Sequence, residues 1–107
     1  MITKNIIFIY ITAKDKQEAE KIGHYLVKQR LAACVNIVAK INSMYWWKNK
    51  IEKSQESLLI AKTKFSLVKK IIKEVKSLHS YSCPCIIALP IVDGNSDYLE
   101  WIKNETK

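Results

Sequence analysis

The spacing of apolar residues alternates between two periods along this chain, and the order of those periods limits the possible folds. Residues 6–12, "IIFIYIT", are β-branched or aromatic throughout and predict a strand buried on both faces. Residues 15–30 and 66–78 instead repeat apolar residues at helical spacing. The first of these segments opens with an Asp-x-x-Glu capping box formed by Asp15 and Glu18. Both segments therefore predict helices.

Three further strands are predicted between and after these helices. Residues 34–47 switch to period two, and Asn49, which tolerates positive φ, is suited to turn a hairpin into a partner strand over 51–63. Alternate apolar residues near the start of the first of these strands are predicted to share one face: Val35, Ile37, Ala39 and Ile41. Residues 85–91, "CIIALPI", predict the fourth strand, and Asn95 is placed to cap a short C-terminal helix.

The predicted order is therefore β-α-β-β-α-β followed by a short helix. This is the order of a ferredoxin-like α+β sandwich, whose antiparallel sheet carries helices on one face. A chain of 107 residues is typical of one domain, so we expect a single domain over 1–107. Trp46 and Trp47 are neighbours in a strand and point to opposite faces, whereas one helical layer covers only one face. We therefore expect a symmetric oligomer that packs sheet against sheet.

Composition and charge argue against several classes of protein. The net charge is +8, but only Arg30 among the 18 basic residues is an arginine, and the lysines are spread over every segment. Because arginine is preferred for base and phosphate contacts, we expect no specific nucleic-acid site. The apolar run "IIFIYI" has six residues, whereas a membrane helix needs about 20, so we expect no membrane segment. Three cysteines do not form an even disulfide framework, which predicts reduced thiols and a cytoplasmic location.

Six segments follow one another in a characteristic order: "RLAACVNI" (30–37), "YWW" (45–47), "LLIAKT" (58–63), "H-x-Y" (79–81), "P-x-IIALPI" (84–91) and "DGNSDYLEWI" (93–102). Together they resemble the CutA family, named for divalent-cation tolerance, in register from about residue 6 to 105. The resemblance implies a ferredoxin-like fold assembled as a tight homotrimer, with the hairpin around Trp46 and Trp47 reaching onto a neighbour. It also implies a non-enzymatic function in tolerance of copper and other divalent ions. The family trimer is similar to that of signalling proteins that bind small ligands between subunits.

A soft-metal site is predicted near the fourth strand. Cys83 and Cys85 fall on one face of an extended segment, and soft thiolates favour Cu(I) or Zn²⁺, with His79 as a third ligand. The alternative is that the cysteines are small apolar residues of a buried strand and that His79 caps the preceding helix. Many relatives have valine and glutamate where this chain has Cys83 and Cys85, and the copper-ligating thiol of some relatives corresponds to Ile11.

A second predicted site is a ligand pocket between subunits. Lys62 ends a buried strand, where a charge needs an anion, so we expect it to bind an anionic group between the walls Tyr81 and Trp47. The resemblance places Cys34 at the border of that cleft. Alternatively, Lys62 extends into solvent and Cys34 is only packed. An enzyme acting through Cys34 or His79 is the least favoured reading, because no hydrolase pattern or glycine-rich phosphate loop is present.

Overall fold

A computed structural model describes residues 5–107 of the chain. Within this range the elements follow the predicted order: β1 (Ile6–Ala13), α1 (Lys16–Lys28), β2 (Cys34–Trp47), β3 (Lys50–Lys64), α2 (Val68–Leu78), β4 (Ile86–Pro90) and α3 (Ser96–Asn104), with a 3₁₀ turn (Phe65–Leu67) before α2. The strands pair antiparallel in the order β2-β3-β1-β4, which confirms the ferredoxin-like prediction. Residues 1–4 of the predicted domain lie outside the described part.

Local capping signals begin two of the helices as predicted. The Asp15 Oδ1 accepts a hydrogen bond from the Glu18 N–H (2.9 Å), and the Asn95 side chain accepts one from the Asp97 N–H (3.1 Å). The return bond of the capping box differs from the usual pattern, because the Glu18 Oε1 accepts from the N–H of Lys14 (3.0 Å). Glu18 therefore fixes the chain one residue before the helix cap.

The two long helices cover one face of the sheet. Fully buried side chains from both layers meet there: Ile9, Ile11, Leu59 and Ala61 from strands, and Ile22, Leu26, Ile71 and Val75 from helices. Helix α3 instead packs Leu99 and Ile102 on Ile6, whose neighbour Ile7 belongs to the main core. Because side chains alternate along a strand, α3 lies against the opposite face. We call that opposite face the open face, since α3 covers only one end of it.

A β-bulge in β2 makes one part of the predicted alternation wrong. Val38 pairs with Leu58, but the next pair is Ile41 with Glu56, so two residues of β2 oppose one of β3. An extra residue on one strand reverses which face the following residues occupy. Ile41 therefore lies on the open face with Glu56, whereas Val35 and Ile37 pack against the main core.

The β2–β3 hairpin projects beyond the helices. Its turn has positive φ at Lys48 (51°) and Asn49 (64°), as predicted for Asn49. The two strands, of 14 and 15 residues, run along most of the 44 Å length of the molecule, whereas the 13 residues of α1 span about 20 Å. Trp46 (72% exposed) and Trp47 (45% exposed) are thus both uncovered. The helices cover neither ring within one chain, because the helical layer ends before the hairpin does.

Candidate functional site

The main pocket lies on the open face, at the end away from α3. Its volume is about 590 Å³, which is typical of small-molecule sites. The lining residues come from β1, β2, β3 and the loop before β4: Tyr10, Thr12, Ser43, Met44, Tyr45, Trp47, Glu56, Tyr81, Ser82, Cys83 and Cys85. The bulge in β2 is what turns Ser43, Tyr45 and Trp47 toward this face.

The loop between α2 and β4 is anchored by His79, whose side chain is fully buried. Its Nε2 lies 2.8 Å from the carbonyl oxygen of Thr12, and its Nδ1 accepts a hydrogen bond from the Tyr81 N–H (3.0 Å). The proton of the neutral ring is therefore assigned to Nε2, which donates to the carbonyl. His79 stands at the C-terminal cap position of α2, but these bonds do not involve the last carbonyl groups of the helix.

Glu18 supports the same loop from helix α1. Its Oε2 accepts a hydrogen bond from the Ser80 N–H (2.8 Å), and its Oε1 lies 3.9 Å from the Nδ1 of His79. Burial alone raises the pKa of Glu18, but the hydrogen bonds from Lys14 and Ser80 lower it below the ordinary value of 4.5. Glu18 thus holds the start of the pocket loop as a carboxylate.

The predicted metal triad is not assembled. Cys83 is exposed and Cys85 is half-buried, and both line the pocket as free thiols. Both ring nitrogens of His79 bond to the backbone in this conformation, so its role as a third ligand stays a prediction that requires one of these bonds to break. Across residues 5–107, no group of three or more His, Cys, Asp or Glu side chains is placed to share a metal ion. Two thiols therefore form the remaining donor set.

Tyr81 and Glu56 form a hydrogen-bonded pair in the pocket wall. The Tyr81 hydroxyl donates to the Oε2 of Glu56 at 2.8 Å. Burial, the hydrogen bond and the charge of the carboxylate raise the pKa of Tyr81, so the hydroxyl stays protonated and remains a donor. The ring of Tyr81 also packs against the imidazole of His79, with centroids 4.8 Å apart. Tyr81 thus connects the anchored loop to the carboxylate of β3.

The predicted ligand-pocket residues fall into two groups within one chain. Trp47 and Tyr81 line the main pocket, whereas Lys62 lies six residues from Glu56 along β3, or about 20 Å. The Lys62 ammonium donates to the Oδ1 of Asn36 and lies 3.8 Å from the Sγ of Cys34. A cleft between subunits that unites the two groups stays a prediction.

An aromatic side chain from α3 completes the surroundings of Lys62. The Lys62 Nζ is 5.8 Å from the ring centroid of Tyr98, which is within the range of cation–π contacts. Tyr98 in turn stacks on Trp101, with centroids 5.5 Å apart. In the described part of the chain, no carboxylate lies within ion-pair distance of Lys62. Lys62 therefore carries its charge at this end of the open face without an ion-pair partner in the described part of the chain.

Comparison with known proteins assigns the family. A family model described as CutA1 divalent ion tolerance protein matches residues 7–105. The chain is 47% identical over 95 residues to the divalent-cation tolerance protein CutA of Archaeoglobus fulgidus. The aligned region covers 89% of this chain and 92% of that relative. This chain belongs to the CutA1 family. A solved CutA structure from Archaeoglobus fulgidus superposes with a TM-score of 0.92 at 44% identity, covering 95% of this chain and 99% of the other.

Some CutA relatives are longer and differ in the location that their names state. The chain is 45% identical over 101 residues to protein CutA 1, chloroplastic, of Oryza sativa subsp. japonica, which covers 94% of this chain. It spans only 57% of that relative's length. The solved Archaeoglobus structure is described as a periplasmic divalent cation tolerance protein. The cytoplasmic location of this chain stays a prediction. None of the helices between residues 5 and 107 has the length and apolarity to cross a membrane.

Several pocket residues were missed by reasoning from the sequence of this CutA1-family chain. Glu56 directly precedes the predicted buried segment "SLLIAKT". An acidic residue next to a buried strand was the sequence feature that could have identified Glu56 as a pocket residue. Tyr10 belongs to a strand predicted to be buried on both faces, so its contact with the pocket was not expected. No sequence feature identified Tyr98 as a neighbour of Lys62, because this contact depends on how α3 packs against the sheet.

Proposed function

We propose that this CutA1-family chain is a non-enzymatic homotrimer of divalent metal-ion tolerance that binds copper or a similar divalent cation. The names of its relatives, which include divalent-cation tolerance proteins, support the tolerance role. The observation that carries copper binding is the presence of two free thiols, Cys83 and Cys85, in the lining of one accessible pocket.

The donor set fits a soft ion better than a hard one. Cys83 and Cys85 would hold the ion as thiolates, which favour Cu(I). Zinc normally takes four ligands in structural sites, and no third His, Cys, Asp or Glu side chain converges with the pair within the described range. The pocket loop is positioned by Glu18 and His79, so these two residues support the ligands without binding the ion.

The homotrimer is supported by the projecting hairpin. Met44, Trp46 and Ile51 leave most of their surface exposed, and they belong to strands that extend past the helices. Apolar side chains grouped in this way are typical of surfaces that another protein covers. The family resemblance makes a second and third copy of this chain the expected partners.

Copper binding is tested by titration of the reduced protein with Cu(I) in competition with a chromophoric chelator. Cys83→Ser combined with Cys85→Ser is expected to weaken Cu(I) binding by at least about 100-fold, because outer-shell changes alone cost roughly 10- to 100-fold. Cys34→Ser is the matched control, since Cys34 lies near Lys62 and not in the pocket. Unchanged affinity in the double variant would refute the thiol site and leave the family assignment intact.

A second candidate function is a regulatory module that binds a small anionic ligand near Lys62. It is favoured by an ammonium group that is half-buried, contacts Asn36 and Cys34, and has no carboxylate partner within residues 5–107. A half-buried charge of this kind is stabilised by a counter-ion. Inorganic phosphate is a suitable probe. It is expected to shift amide resonances around Lys62, and Lys62→Gln should abolish the shift while Lys64→Gln should not.

A further inference from the structure

Glu56 is a buried carboxylate without a cationic partner. Only 7% of its surface is exposed, and it lines the main pocket. Glu56 accepts a hydrogen bond from the Tyr81 hydroxyl, and no lysine, arginine or histidine of the described residues lies within 4.0 Å of its oxygens. The whole chain carries 18 lysine and arginine residues, so the missing partner does not reflect a shortage of cations. Buried charges in proteins are normally paired.

The walls of the pocket are suited to a cation. Four aromatic rings line it: Tyr10, Tyr45, Trp47 and Tyr81. The face of an aromatic ring attracts positive charge, and quaternary ammonium groups are recognised by groups of such rings around them. None of the eleven lining residues is a lysine, arginine or histidine, so the pocket has no group that would attract an anion.

We propose that this pocket binds a small organic cation, whose ammonium group sits among the aromatic rings and is neutralised by Glu56. An organic cation fits better than a hard inorganic ion, because a hard ion needs several oxygen ligands and Glu56 is the one carboxylate in the lining. The proposal does not depend on copper binding. It shares the pocket with Cys83 and Cys85, so the two ligands are expected to compete.

The test compares choline with its neutral isostere, 3,3-dimethylbutan-1-ol, on the full chain in its native assembly. Binding is followed by calorimetry and by amide chemical shifts, with reductant and chelator present. Choline is expected to bind at least about tenfold more tightly than the neutral compound, since the charge contributes through both the rings and the carboxylate. Equal affinities, or no binding of choline because a neighbouring copy fills the pocket, would overturn the proposal.

Two variants test which pocket residues recognise the positive charge of choline. Glu56→Gln keeps the acceptor for Tyr81 but removes the charge, so choline affinity should fall about tenfold or more while the affinity of the isostere is unchanged. Glu52→Gln, an exposed position on the same strand, is the control. Trp47→Leu changes an exposed side chain that the fold does not bury, and it should also weaken choline binding. Full choline affinity in either pocket variant counts against the proposal.

The result of the choline test can be distinguished from the result of the Cu(I) test of the proposed function. Cys83→Ser with Cys85→Ser removes the two proposed copper ligands and leaves Glu56 in place, so this variant should lose Cu(I) binding while choline still binds more tightly than its neutral isostere. Glu56→Gln should show the reverse pattern. Failure of choline binding together with intact Cu(I) binding would reject the organic-cation site alone.

Discussion

The two halves of the β2–β3 hairpin differ in what covers them, although they are built from the same two strands. In the half near α1, Leu59 and Ala61 are completely buried against the helices. In the projecting half, Met44, Trp46 and Ile51 keep more than half of their surface exposed. Because a strand rises about 3.3 Å per residue and a helix 1.5 Å, a helix of similar residue count cannot cover the whole hairpin.

This difference separates two sources of stability. The covered half contributes through the core of a single chain, where packing is independent of protein concentration. In the proposed homotrimer, the projecting half contributes through association, so its contribution depends on concentration. The main pocket lies where the two halves meet, since Glu56 is buried on the open face and Trp47 is exposed on the projecting half. Variants in each half therefore test the comparison directly.

The largest loss of stability is expected from Leu59→Ala in the covered half. Leu59 is fully buried in the core, and removing its branched end should lower the free energy of unfolding by about 2–5 kcal/mol. Urea unfolding at several protein concentrations is the measurement, and the loss should be the same at each concentration. Ile51→Ala, on the same strand in the projecting half, is the control. A loss for Leu59→Ala that grows on dilution would contradict the comparison.

The second effect is on assembly and comes from the projecting half. Trp46→Ser with Ile51→Ser should convert a species of about 37 kDa, three times the 12.4 kDa chain, into monomer. The free energy of unfolding of the monomer should change by only about 0.5 kcal/mol, because both side chains are exposed. Sedimentation velocity measures the mass. Phe65→Ser, an exposed aromatic position outside the hairpin, should leave the mass unchanged.

Much of the fold was predictable from the sequence because its signals are local. The Asp15 and Asn95 caps, the turn at Asn49 and the apolar spacing of α2 act within a few residues, and each is confirmed. The bulge was not predictable, since Ile37, Ala39 and Ile41 continue an unbroken alternation. The extra residue is recognised only from the pairing with β3.

The candidate site was predictable only in part. Cys83, Cys85, Tyr81 and Trp47 were selected as residue types suited to ligands, and the fold brings them to one pocket. The separation of these four residues from Lys62 follows from the pairing register of the strands, which cannot be read from the sequence alone. The role of His79 depends on a bond to Thr12, 67 residues away in the chain. Contacts at such distances depend on tertiary packing and not on spacing.

The smallest of the three effects is expected from Glu18→Gln, which sharpens the comparison at the junction of core and pocket. Glu18 accepts hydrogen bonds from the Lys14 and Ser80 N–H groups, so its loss should cost about 1–2 kcal/mol at pH 7. Because folding lowers the pKa of Glu18, its stabilisation is complete above the ordinary value of 4.5 and is lost as the pH falls through the lower folded value.

The wild-type protein and Glu18→Gln should therefore converge in stability only as the pH falls below about 4.5. Urea unfolding between pH 3 and pH 7 measures this convergence. Glu20→Gln, at an exposed position of the same helix, controls for the change in net charge. If the difference between wild type and Glu18→Gln were constant across this range, the carboxylate charge would not be what holds the loop. The amide at position 18 would then serve equally well, and the pocket would be anchored by the covered half through shape alone.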